Sequence, residues 1–94
     1  PFAFSCILAN AKGENALAYL WAEQGVKLEK AEKLSIGTLK KSPKNSAFID
    51  TLGWIYFKQK KYNESLEQLK KASELSPKNP EIRDHLGDVY SKLG

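Results

Sequence analysis

The sequence predicts an all-α fold built from antiparallel helical hairpins that stack in register, and three observations predict it. First, Ser42-Pro43-Lys44-Asn45 recurs as Ser76-Pro77-Lys78-Asn79, an offset of 34 residues. Leu52-Gly53 recurs at the same offset as Leu86-Gly87, and Tyr56 as Tyr90, while upstream Leu28 answers Tyr62 and Ala31 answers Ser65. A fixed period of this size marks stacked supersecondary units, none of which can bury its apolar face alone. Second, apolar residues recur at three- and four-residue steps throughout, and no stretch alternates as a strand would. Third, the breaks between helical stretches are short, which forces neighbours into hairpins.

The elements follow in order. Leu17, Leu20 and Trp21 give a helix from about Asn15 to Gln24, ended by Gly25. Leu28, Ala31, Leu34 and Leu39 give a second, from Leu28 to Lys40, which Pro43 prevents from continuing. A third runs from Ser46 to Gln59 with Asn45 as N-cap. Its apolar residues Phe48, Ile49, Leu52, Ile55 and Tyr56 cover a wide face, so it should be buried on more than one side. Tyr62 to Leu75 is the fourth, with Leu66, Leu69, Ala72 and Leu75 in period and Glu67 and Lys71 placed as a favourable pair. Asn79 as N-cap and Pro80 at the first helical position start a fifth, which runs to Leu93. The glycine of each Leu-Gly pair costs up to about 1 kcal/mol against alanine in a helix. Gly53 and Gly87 therefore imply close helix–helix approaches, with Ser65 and Ala72 small for the matching reason and Tyr56 and Leu69 filling the space beside them.

Residues 1–11 read as the tail of a preceding helix or a terminal extension, because the positive leader of a signal peptide is missing from the apolar start. With no methionine at position 1, the chain reads as a piece of a longer protein or a processed one. Hydrophobic content of 41% with 28% charged residues indicates a folded chain. No apolar run reaches the roughly 18 residues of a membrane span. The net charge of +4 is spread among interspersed acids, so no strong single-sign field is implied. The single cysteine, Cys6, has no partner for an internal disulfide and reads as a small buried side chain.

Ser46–Asn79 resembles a tetratricopeptide repeat. The places that define that pattern hold Ile49, Leu52, Gly53, Tyr56, Ser65, Leu69, Ala72 and Pro77. Serine at 65 replaces the usual alanine, a small residue for a small residue. The resemblance divides the chain into a divergent unit at 12–45, a well-matched unit at 46–79, and at 80–94 the first helix of a truncated third unit carrying Leu86, Gly87 and Tyr90. In the first unit Ala18-Tyr19 stands in place of Leu-Gly, and Thr38 in place of the second small alanine. The resemblance implies a right-handed α-α superhelix, a fragment of a solenoid whose concave face is lined by the first helix of each unit. It is similar to repeats of bacterial proteins, many of them exported or lipid-anchored, which leaves the compartment open between cytoplasm and periplasm or outer membrane.

Carried over residue by residue, the resemblance places Ala16, Leu20 and Gln24, then Asp50, Trp54, Phe57 and Lys58, then Asp84, Asp88 and Lys92 in a groove that takes a protein or peptide partner. Aspartates stand where the family's clamp for a terminal carboxylate carries lysine, asparagine and arginine. The expected partner is therefore mixed, with basic residues facing Asp50, Asp84 and Asp88. Trp54 has two readings, as a core residue or as an aromatic anchor in the groove, and the anchor is the one carried forward.

Other classes fit less well. The only histidine, His85, lies beside Asp84 and three residues before Asp88, with Glu81 on the same helix. Catalysis or metal binding would need another group converging on it, so no enzyme activity, metal or cofactor is expected. Lys58, Lys60 and Lys61, with Lys70, Lys71 and Lys78, suggest RNA, but Glu64, Glu67 and Glu74 interrupt the basic surface and nucleic acid is not expected. Self-association through the ends of the stack is the alternative role. There Leu86 and Tyr90, and at the start Phe2, Phe4, Ile7 and Leu8, lack an evident partner.

Overall fold

The computed structural model describes the backbone of residues 2–94 and the side chains of residues 10–94. Five helices follow one another: α1 (Phe2–Gln24), α2 (Leu28–Lys41), α3 (Ser46–Lys58), α4 (Tyr62–Leu75) and α5 (Pro80–Leu93). Among the described residues there is no strand. Nor, among the described residues, is any helix long and apolar enough to cross a membrane. The helices form a hairpin stack measuring 47 × 29 × 17 Å, in which α3 contacts every other helix.

α1 corrects the expected start. The sequence reading separated a tail at 1–11 from a helix beginning near Asn15, whereas the backbone is one helix of 23 residues from Phe2. Nothing in Lys12-Gly13-Glu14 breaks it, since an interior glycine weakens a helix without ending it. Ala11, Ala18 and Ala22 are fully buried, one stripe along the side facing the stack. The side chains of Phe2, Phe4, Cys6, Ile7 and Leu8 lie outside the described ones. At the other end Gly25 takes φ +68°. Its N–H donates to the Ala22 carbonyl, and that of Val26 to the Trp21 carbonyl, both at 3.0 Å. This paired closure is the Schellman arrangement, and it needs the left-handed residue that glycine supplies most readily.

The two later turns repeat each other, as the sequence echo requires. Ser42 lies at φ −144°, ψ 77° and Ser76 at φ −138°, ψ 72°, and each donates its N–H to the carbonyl four residues back. Asn45 Oδ1 then accepts from Ala47 and Phe48 N–H, and Asn79 Oδ1 from Glu81 and Ile82 N–H, which satisfies donors that the first helical turn leaves unpaired. Ser46 and Ser76 join the two turns through a 2.7 Å hydroxyl–hydroxyl hydrogen bond.

α3 is the centre. Its residues from Phe48 to Ile55 are all buried, the pattern of a helix covered on every side. Gly53 is the closest point. A β-carbon there would come within 2.8 Å of Leu69 Cγ, and Leu69 is itself fully buried. The Ser65 hydroxyl donates to the Gly53 carbonyl at 2.7 Å, so its small size serves the contact and its polarity is also used. Gly87 departs from this expectation. It is exposed, and a β-carbon on it would meet nothing within 4 Å, because among the described residues no element packs against that side of α5. Tyr90 beside it is half exposed for the same reason.

Candidate functional site

Since α3 packs against both α1 and α5, the three helices form one layer, and the residues predicted to line a groove lie along it. Ala16, Leu20 and Gln24 on α1 are exposed, as are Asp84, Asp88 and Lys92 on α5. Between them, on α3, Phe57 and Lys58 are half-buried. Leu20 is 51% exposed, which is high for a leucine inside a helix and leaves an apolar point on the surface of α1.

Asp50 and Trp54 sit deeper than the groove reading placed them. Trp54 is 7% exposed, so its role as a protruding anchor gives way to that of a floor. Its ring stacks on Phe57 at 4.7 Å between centroids and on His85 at 4.1 Å. Its indole N–H donates to Glu23 Oε1 at 2.5 Å, and the Lys58 ammonium lies 5.0 Å from the ring centroid. An indole with its donor satisfied and its ring stacked has little surface left for a partner. The cause lies in the neighbouring helices: α1 and α5 pack on α3, and their side chains Glu23 and His85 reach across and cover it.

Asp50 is 5% exposed and His85 is 6% exposed, and His85 Nδ1 and Asp50 Oδ1 are 2.8 Å apart. Burial lowers the affinity of the imidazole for a proton. The hydrogen bond and charge of Asp50, helped by Glu81 and Asp88, outweigh this and hold the pKa above its ordinary value. Tyr19 on α1 approaches from the other side. Its phenol is pushed up to about 12, first by burial and then by Glu81, Glu23 and Asp50, so it stays protonated. Glu81, exposed in the first turn of α5, completes the cluster: Asp50, Glu81 and His85 each offer one ligand atom, and these lie within 4.8 Å of one another.

Sequence reasoning left His85 without a second converging group, and that group is Asp50. The signal was present in the period. Asp50 is the counterpart of Asp84 one unit earlier, so a residue adjacent to Asp84 can face back onto it when units stack. A cleft of about 330 Å³ opens beside the cluster, lined by Asn15, Tyr19, Asp50, Thr51 and Glu81 among others. On the edge of the stack, Leu17, Trp21 and Leu34 line a shallow apolar depression flanked by Lys30 and Lys33.

The lysines singled out as a basic surface are partly engaged with acids. Lys61 lies 3.6 Å from Glu32, and Lys71 lies 3.8 Å from Glu67.

Comparison with known proteins agrees with the geometry. Residues 53–94 match the family model described as TPR repeat. The TPR repeat-containing protein PA4667 of Pseudomonas aeruginosa is 32% identical over 79 residues, which is 84% of this chain and 13% of that protein. The chain thus spans a small part of the length of that curated relative. Equivalent proline turns and a glycine seated against the next helix are what the repeat requires, and with these matches residues 53–94 are a tetratricopeptide repeat and the chain is similar to proteins built from such repeats.

Proposed function

We propose that this chain is a non-catalytic protein-interaction scaffold that binds a partner peptide or protein along the layer of α1, α3 and α5. Repeats of this family generally mediate protein–protein interaction, and stacked repeats present extended surfaces for it. The observation that carries the reading here is exposure on both helices that flank α3: apolar Leu20 on α1, and the charged residues Asp84, Asp88 and Lys92 on α5. The partner that fits is mixed. An apolar side chain meets Leu20 and the edge of Phe57, and basic side chains meet Asp84 and Asp88. Asp50 contributes indirectly, by holding His85 against Trp54.

Selection of peptides from a random displayed library, followed by backbone amide shift mapping of the bound complex, tests this. Shifts should cluster on Leu20, Gln24, Phe57, Lys58, Asp84 and Asp88, and the joint change Asp84→Lys with Asp88→Lys should weaken binding about tenfold or more, the scale of about 1.4 kcal/mol. Shifts confined to α2 and α4 would overturn the groove.

Self-association is the second reading. Tyr90 is 50% exposed, Leu75 47% and Leu93 42%, so apolar surface remains on and beside α5. Sedimentation equilibrium showing dimers that Tyr90→Lys dissolves would support it, and a monomer at high concentration would remove it.

A further inference from the structure

We propose that Asp50, Glu81 and His85 form a binding site for a first-row divalent cation of the zinc or cobalt type, joining the first turn of α5 to the middle of α3. The donor set is one imidazole nitrogen and two carboxylates from two helices, all within 4.8 Å of one another. Mixed nitrogen and oxygen donors suit these ions, whereas calcium and magnesium prefer oxygen alone.

The spacing brings two of the three ligands close to the required geometry. Ligand atoms at about 2.1 Å from a tetrahedral ion lie about 3.4 Å apart. His85 Nδ1 and Asp50 Oδ1 stand at 2.8 Å with a proton between them, so an ion takes that proton's place once the Asp50 carboxylate swings off the axis of the ring nitrogen, and the proton passes to solvent. Both side chains are more than nine-tenths buried, and the His85 ring is held by its stack on Trp54, so neither needs ordering on binding. Glu81 is the mobile member, exposed at the start of α5 and free to close onto the ion.

A second, independent observation comes from the cleft alongside. It has room for the waters that complete coordination, about 330 Å³ bounded by Asn15, Tyr19 and Thr51 together with two of the ligands. The Asn15 side-chain oxygen on its wall is buried and has no hydrogen-bond partner among the described residues. A metal-bound water is a strong donor, and this oxygen becomes its acceptor when the Asn15 amide turns toward the cleft. Tyr19 shares the wall of the same cleft with Glu81. Among the described residues no lysine or arginine forms an ion pair with Asp50 or Glu81, so the local negative charge is answered by His85 alone.

Metal uptake does not depend on a partner, so failure of either reading leaves the other standing. The test uses the chain without an affinity tag, stripped with chelator and titrated with zinc or cobalt chloride. Expected are one ion per chain by calorimetry, a visible cobalt spectrum, and a melting temperature that rises with free metal. Glu81→Gln, an exposed change that leaves the fold intact, should weaken binding by more than the roughly tenfold typical of losing an outer-shell partner. His85→Gln should abolish the cobalt spectrum. Absence of saturable one-to-one binding up to millimolar metal overturns the site. So does wild-type affinity in both variants, and so does a cleft that takes up free arginine but no metal.

Discussion

At the scale of single residues, the two glycines of the repeat make opposite predictions although the sequence presents them as equivalent. Gly53→Ala drives a β-carbon to 2.8 Å from Leu69, a buried side chain that cannot retreat, and should destabilise by about 1–3 kcal/mol. Gly87→Ala meets open space in an ordinary helical backbone and should stabilise by about 0.5–1 kcal/mol through reduced chain entropy. Urea denaturation of both variants checks the pair, and equal signs would refute it. His85 gives a pH prediction. Its folded pKa is raised, so the stability contributed by the pair with Asp50 is fully present below the unfolded value of about 6.5 and is lost as pH rises through the folded value. In chelator, the difference in melting temperature between wild type and His85→Gln should therefore be largest near pH 5.5 and should shrink toward pH 9.

At the scale of elements, helix ends were the most legible feature. Asn45 and Asn79 do what their position before a helical run suggests, and Asn45→Ala should cost about 1 kcal/mol by thermal denaturation, with α3 losing its two capping bonds. The bounds of α4 and α5 came from local chemistry: a proline turn on one side, a cap or a change of period on the other. α1 did not come whole, because Gly13 in a polar triplet looks like punctuation, and only the buried stripe through Ala11, Ala18 and Ala22 shows that it is not. Exposure of the candidate groove positions was legible on α1 and α5 and illegible at Asp50 and Trp54 on α3. Whether Trp54 points out or becomes a floor is decided by Glu23 and His85, each about one repeat away in sequence, and no local pattern carries that information.

At the scale of the whole molecule, stability should be graded. α3 is covered on all sides, whereas α5 buries one stripe, Ile82, His85 and Val89. Native-state hydrogen exchange should find the slowest amides between Leu52 and Ile55, opening near the global free energy, and the fastest helical amides in the last turn of α5. Uniform protection across the five helices would contradict the picture of units that contact only their neighbours. The Asp50–His85 tie adds a mechanical property to this gradient. Bonds in the turns, such as Ser46 to Ser76, hold the two helices of a pair, but this tie spans successive first helices. A coiled array behaves as a spring, and any bend that draws α5 away from α3 stretches this tie. The stiffness of the coil is thus set in part by one imidazole–carboxylate link, so changing it alters the pitch the array can adopt as well as the chemistry of its surface.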